Sequence, residues 1–177
     1  MIIEKILDLN AFDPHILRGR GYIDKITLHW TGGTYYEVDH SAYHVVIDGS
    51  GQIYITCNFD ERGAHTWRRN TGNLGIAIAC CYGLGDVWAD GTVTNWGAYP
   101  PTDKQVEAMA RVVAYLAVGL GVQTADIHDH HYWAEIDGYG SERVDMMSLP
   151  QETGKSGRDI IVGKAVWYAQ QWGVMLK

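Results

Sequence analysis

The 177 residues predict an α/β fold with a central mixed β-sheet flanked by helices. Three observations carry that reading. Short runs rich in β-branched and aromatic residues occupy the first half of the chain. A strong turn signal joins two of them as a hairpin. A long amphipathic helix follows the strands, as a layer covering a sheet requires.

The elements follow in order. Tyr22 to Trp30, YIDKITLHW, reads as a strand that stops at Thr31-Gly32-Gly33. Ala42 to Ile47 and Gln52 to Cys57 read as the two arms of a hairpin across Asp48-Gly49-Ser50-Gly51. Leu74 to Cys81, LGIAIACC, is a continuous apolar run short enough for a central strand. Thr102 is placed to cap a helix, with Gln105 three residues later in capping-box register. Val106, Met109, Ala110, Val113, Leu116, Ala117 and Leu120 then recur at helical spacing, and Gly121 ends it. A second helix is expected from about Asp159 to Gln171. The segment Asp126 to Asp145 between the helices, rich in Gly, Asp and His, is expected to be an irregular loop.

Composition bounds the partners. Fourteen Lys and Arg against 21 Asp and Glu leave a net charge of −7, which argues against a duplex-DNA binder and a polybasic membrane anchor. No run of about 18 apolar residues spans a bilayer. Glu4, Lys5 and Asp8 interrupt the first segment, so an export leader is not expected and synthesis in a cytoplasm is. The length suits a single domain over 1–177 without a separate wall-binding module. Cys57 stands alone and Cys80 adjoins Cys81, which fits neither a disulfide framework nor a structural zinc site. Seven Trp and 11 Tyr against two Phe suit a groove wet at one end and apolar at the other.

Chemistry concentrates at two places. His29 ends the first strand. His128, His130 and His131 crowd the loop after the long helix, and Asp145 closes that loop. A strand-end His, a loop His and an Asp make a three-donor set with an open fourth position, the form a catalytic zinc takes. If the loop is extended, His128 and His130 share a face and His131 points away.

Five segments in order carry a family resemblance: LHWTGG, AYHVVIDGSGQIY, GAHTWRRNTGNLGIAI, PPTDKQVEAMARVVAYL and WAEIDGYGSERVD. Over roughly residues 22 to 172 the chain resembles the zinc-dependent N-acetylmuramoyl-L-alanine amidases of the phage lysozyme and peptidoglycan-recognition-protein superfamily. The resemblance implies one Zn2+ per chain, held by His29, Asp145 and a loop histidine. Counting back from Asp137-Gly138-Tyr139-Gly140 favours His130 over His128 and His131. It implies Tyr43 and Arg143 as catalytic groups, and His65, Trp67, Trp133 and Tyr139 as substrate contacts, with His44 structural or behind a ligand. It implies hydrolysis of the bond between N-acetylmuramic acid and L-alanine by a monomeric phage or prophage endolysin. Such a protein reaches the wall through a holin and takes peptidoglycan or muropeptide as its partner, with no nucleic acid or membrane. The alternative is a non-catalytic peptidoglycan-binding module of the same fold. One departure matters: cytoplasmic recycling amidases of the superfamily carry a Glu on the strand where this chain has Ala77 and Ala79.

Overall fold

The computed structural model describes residues 3–177; Met1 and Ile2, part of the segment read above for a leader, lie outside the described residues. Among the described residues there are six strands: β1 (Glu4–Ile6), β2 (Lys25–Trp30), β3 (Val45–Ile47), β4 (Ile53–Ile55), β5 (Asn73–Ile78) and β6 (Ile127–Asp129). Four α-helices accompany them: α1 (Asp13–Gly19), α2 (Asp103–Leu120), α3 (His130–Ile136) and α4 (Gly157–Gln171). The sheet order is β1-β4-β3-β5-β2-β6. β1, β4 and β3 pair antiparallel, whereas β3-β5, β5-β2 and β2-β6 pair parallel. The sheet is therefore mixed, as predicted. Among the described residues no helix is long and apolar enough to cross a membrane.

Alternation along the strands divides the sheet into two unlike faces. Register puts Ile26 beside Leu74 and Leu28 beside Ile76. These side chains are fully buried in one core with Val106, Met109, Val113 and Leu116 of α2 and Ile161 and Ala165 of α4. Burying each large apolar side chain stabilises the fold by roughly 1.5–3 kcal/mol. The other face carries Thr27 and His29 on β2 beside Gly75 and Ala77 on β5. It is polar, and α3 lies over it, with Trp133 Nε1 donating to Thr27 Oγ1 at 3.1 Å.

The long helix forms as its sequence signals indicate. The Thr102 hydroxyl accepts from Gln105 N at 3.1 Å, and Gln105 Oε1 accepts from Thr102 N at 3.0 Å. Gln105 also donates through Nε2 to Ala79 O at 2.8 Å and Ile47 O at 3.2 Å. The capping box thus fastens the start of α2 to the ends of β5 and β3. Gly121 closes the helix at φ +78°, a left-handed turn that glycine enters without strain.

Two expectations are corrected. The segment between the long helices is not an irregular loop throughout: it holds β6, α3 and a 3-10 turn at Gly140–Glu142. The Asp129 side chain accepts from Tyr132 N at 2.7 Å and caps α3, so the extended stretch ends before His130. Alternation therefore cannot place His130 and His128 on one strand face. The chain before residue 20 also contributes β1 and the Pro14-started α1, which were not anticipated.

Candidate metal centre

His29 is the penultimate residue of β2, on the polar face, and is completely buried. His130 is the first residue of α3, and Asp145 lies beyond the 3-10 turn; both are 7% exposed. Their donor atoms fall within 4.8 Å of one another. His29 Nδ1 is 2.8 Å and His130 Nδ1 3.2 Å from the same oxygen, Asp145 Oδ2. Adjacent ligands of a tetrahedral zinc lie about 3.4 Å apart, given metal–ligand distances of about 2.0–2.2 Å. The spacing suits an ion with an open fourth position.

The hydrogen bonds behind His29 test this fit independently. His65 Nε2 lies 3.1 Å from the Asn73 carbonyl, which only accepts, so Nε2 carries the proton. His65 Nδ1 is then an acceptor, with the Thr66 hydroxyl at 2.9 Å and His29 Nε2 at 3.0 Å as donors. A neutral His29 protonated on Nε2 has its Nδ1 lone pair facing the Asp145 carboxylate. Two acceptors at 2.8 Å need a metal ion or a shared proton between them. Burial lowers the His29 pKa and disfavours an imidazolium. A metal ion satisfies this donor set, and a ligating imidazole tied through its second nitrogen is the usual supporting arrangement.

The other predicted residues divide into three groups. Tyr43 and Arg143 line a surface depression of about 250 Å³ together with His130 and Asp145. The Tyr43 ring lies 5.0 Å from the His29 ring. Burial, and then the negative charge of Asp145, push its phenol above the ordinary tyrosine value, so it stays a protonated donor. Arg143 is exposed at the rim, with Nη1 donating to Glu142 O at 2.8 Å. Trp67 and Tyr139 form an edge-to-face pair, 5.3 Å between centroids, and the Tyr139 ring lies 6.3 Å from the His130 ring. His65 and Trp133 are placed differently from the expectation. His65 is 6% exposed with both ring nitrogens engaged, packed over Gly75, where any Cβ would come within 2.7 Å of the ring. Trp133 turns under α3 to Thr27, with the Arg69 guanidinium 4.9 Å from its ring, instead of forming a groove wall.

Of the loop histidines, His128 stacks on Tyr132 at 3.8 Å, and His131 Nδ1 donates to Arg143 O at 2.7 Å, so neither joins the group. His44 is structural: Nδ1 accepts from Gly75 N at 3.0 Å and Nε2 donates to Glu61 O at 3.0 Å. Ala77, facing the site beside His29, and Ala79 beyond it are both buried and supply no acid. Sequence reasoning missed Asn73, which sets the His65 tautomer, and the bidentate Arg69–Asp137 pair at 2.9 and 2.8 Å. That pair ties the segment after His65 to the end of α3. Only opposite charges on distant segments hinted at it.

The family model for N-acetylmuramoyl-L-alanine amidase matches residues 19–145. The chain belongs to this amidase family. The amidase match runs through β2, β5 and α3 and ends on Asp145, so it takes in all three donor residues. No curated protein sequence matches the chain. Among solved structures, the amidase-family chain resembles the Ph2119 endolysin from the Thermus scotoductus MAT2119 bacteriophage Ph2119. That likeness has 16% identity and a TM-score of 0.52, covering 81% of this chain and 85% of the other. An endolysin N-acetylmuramoyl-L-alanine amidase of Clostridium intestinale, LysCS, aligns at 17% identity and TM-score 0.49, covering 66% of this chain and 73% of its own. Drosophila PGRP-LB aligns at 16% identity and TM-score 0.46, covering 86% of this chain and 88% of its own. At 16% identity, the likeness to the Ph2119 endolysin speaks for the fold alone.

Proposed function

We propose that this chain is a zinc-dependent peptidoglycan amidase that hydrolyses the amide between the lactyl group of N-acetylmuramic acid and L-alanine, in the manner of a phage or prophage endolysin. The observation that carries the reading is the meeting of His29 Nδ1 and His130 Nδ1 at one carboxylate oxygen, Asp145 Oδ2, at 2.8 and 3.2 Å in a buried pocket. His29, His130 and Asp145 would hold one zinc per chain. The chemistry such an ion supplies is Lewis acidity, which activates water near neutral pH and polarises an amide carbonyl.

The chain's own residues do the rest. His65 fixes the His29 ring from behind. Tyr43 donates its hydroxyl to the attacked carbonyl oxygen as negative charge develops there. Arg143 adds a permanent positive charge at the rim of the same depression. Trp67 and Tyr139 supply an aromatic edge for the muramyl or peptide portion. With alanines at 77 and 79, no carboxylate on β5 takes part. The complete three-donor set argues for an enzyme over a binding module of the same fold.

The test is metal content together with product identity. His29→Ala is expected to abolish both bound zinc and the release of peptides with free L-alanine N-termini from cell walls, while His131→Ala keeps both. Stoichiometric zinc in folded His29→Ala would overturn the ligand assignment. Products lacking free L-alanine N-termini would overturn the choice of bond.

A further inference from the structure

Two of the side chains proposed to meet substrate have little regular structure to hold them. Trp67 lies in a turn and is 55% exposed, and Tyr139 lies in the link between α3 and the 3-10 turn. Their edge-to-face contact ties the two segments at the surface. A second tie joins the same segments. Arg69 stands two residues after Trp67, and Asp137 two residues before Tyr139. Arg69 donates through Nε to Asp137 Oδ2 at 2.9 Å and through Nη2 to Oδ1 at 2.8 Å.

This ion pair is one link of a closed circuit. The Arg69 guanidinium lies 4.9 Å from the Trp133 ring on α3. Trp133 Nε1 donates to Thr27 Oγ1 on β2 at 3.1 Å, and that hydroxyl donates to Asn73 Oδ1 on β5 at 2.9 Å. Asn73 Nδ2 donates to the Arg69 carbonyl at 2.8 Å, so the circuit ends on the residue where it began. The Arg69 side chain thus grips α3, while its main chain is held by the sheet. Asn73 is shared with the series behind His29, because its own carbonyl accepts from His65 Nε2.

The pair is a poor stabiliser and a good locator. Its side chains are 33% and 11% exposed, and a partly solvated ion pair adds little to stability. A planar fork on a carboxylate fixes direction as well as distance, which a lone ammonium does not. The apolar core lies on the other face of the sheet and does not depend on it. What the fork fixes is the placement of the Trp67 segment against the Tyr139 segment.

We propose that Arg69 is a positioning residue for substrate: clamped on Asp137, it holds Trp67 and Tyr139 as one wall and so sets affinity for the muramyl-peptide substrate. Metal binding and turnover of bound substrate do not depend on the clamp, since a side-chain change at Arg69 leaves its carbonyl on Asn73 and the His65–His29 series intact. This rests on the amidase reading and deepens it, by naming what shapes the substrate wall.

The experiment compares the parent, Arg69→Gln, Trp67→Ala and the double variant. It reads KM and kcat on a soluble muropeptide, bound zinc, and amide hydrogen exchange over residues 64–70 and 137–145. Arg69→Gln is expected to raise KM about three- to tenfold, the scale of one aromatic contact, with kcat within about twofold and zinc at the parental level. In the Trp67→Ala background the same change should add less than about twofold to KM, because the wall it positions is gone. Exchange should quicken in both segments together. Parental KM in Arg69→Gln, a loss carried by kcat or zinc, or multiplying effects in the double variant would each overturn the positioning role. If the parent turns over no muropeptide, the amidase reading fails. Hydrogen exchange then decides the clamp by itself: faster exchange in both segments upholds it, and faster exchange in one or neither overturns it.

Discussion

At the scale of single residues, the hydrogen-bond series Asn73–His65–His29 matters as much as the donors themselves. His65→Ala leaves both His29 tautomers open, and zinc affinity measured against a chelator should fall about 10- to 100-fold. Parental affinity would show that His29 needs no such support. Tyr43→Phe removes one hydroxyl and keeps the ring against His29. It should bind zinc and muropeptide as the parent does and turn over roughly 10²- to 10³-fold more slowly, the usual cost of losing one donor to a developing oxyanion. Near-parental turnover would reduce Tyr43 to a packing residue. Attention would then shift to Glu142, which lines the depression. His29 and Asp145 were readable as candidates because His29 ends a strand before a Gly-Gly turn and Asp145 closes a segment with three histidines, and the family resemblance then singled them out as ligands. The role of His65 was not readable. Burial over Gly75 is a consequence of strand pairing, and a histidine in a loop looks the same from sequence whether it faces water or the core.

At the scale of elements, legibility followed redundancy. Helix α2 announces itself four ways: Thr102, Gln105, the apolar spacing and Gly121. Helix α3 has seven residues, and its cap, Asp129, is a residue equally at home in a turn. Asp129 is testable in its own right. Burial pushes its carboxyl up to about 6 from an ordinary 3.8. The folded chain therefore holds that proton more tightly than the unfolded chain. This contribution to stability is present below about pH 4 and is lost as pH rises through about 6. Asn keeps the capping acceptor and cannot ionise. In urea melts of the metal-free chain, Asp129→Asn should gain about 1–3 kcal/mol relative to the parent between about pH 4 and pH 7. The buried histidines titrate in both proteins and cancel in that difference. A gap that does not change with pH would mean that Asp129 is ionised and well solvated.

At the scale of the whole molecule, the sheet separates two tasks. One face packs α2 and α4 and supplies the core, whereas the other gives its small side chains, Gly75 and Ala77, to make room for a layer of imidazoles. An ion that binds only the folded chain stabilises it by mass action, about 2.7 kcal/mol at a hundredfold excess over Kd. For a chain of this size, stripping the ion with a chelator should lower Tm by about 5–10 °C. An unchanged Tm would mean that the site is empty in the purified protein. His29 and Asp145, which meet at one oxygen, are 116 residues apart along the chain. During synthesis, the strand bearing the first donor therefore leaves the ribosome long before the last donor exists. No partial product can assemble the trio. Whatever the cell's zinc supply, a wall-cutting activity of this kind is withheld from the growing chain until nearly all of the domain has emerged and folded.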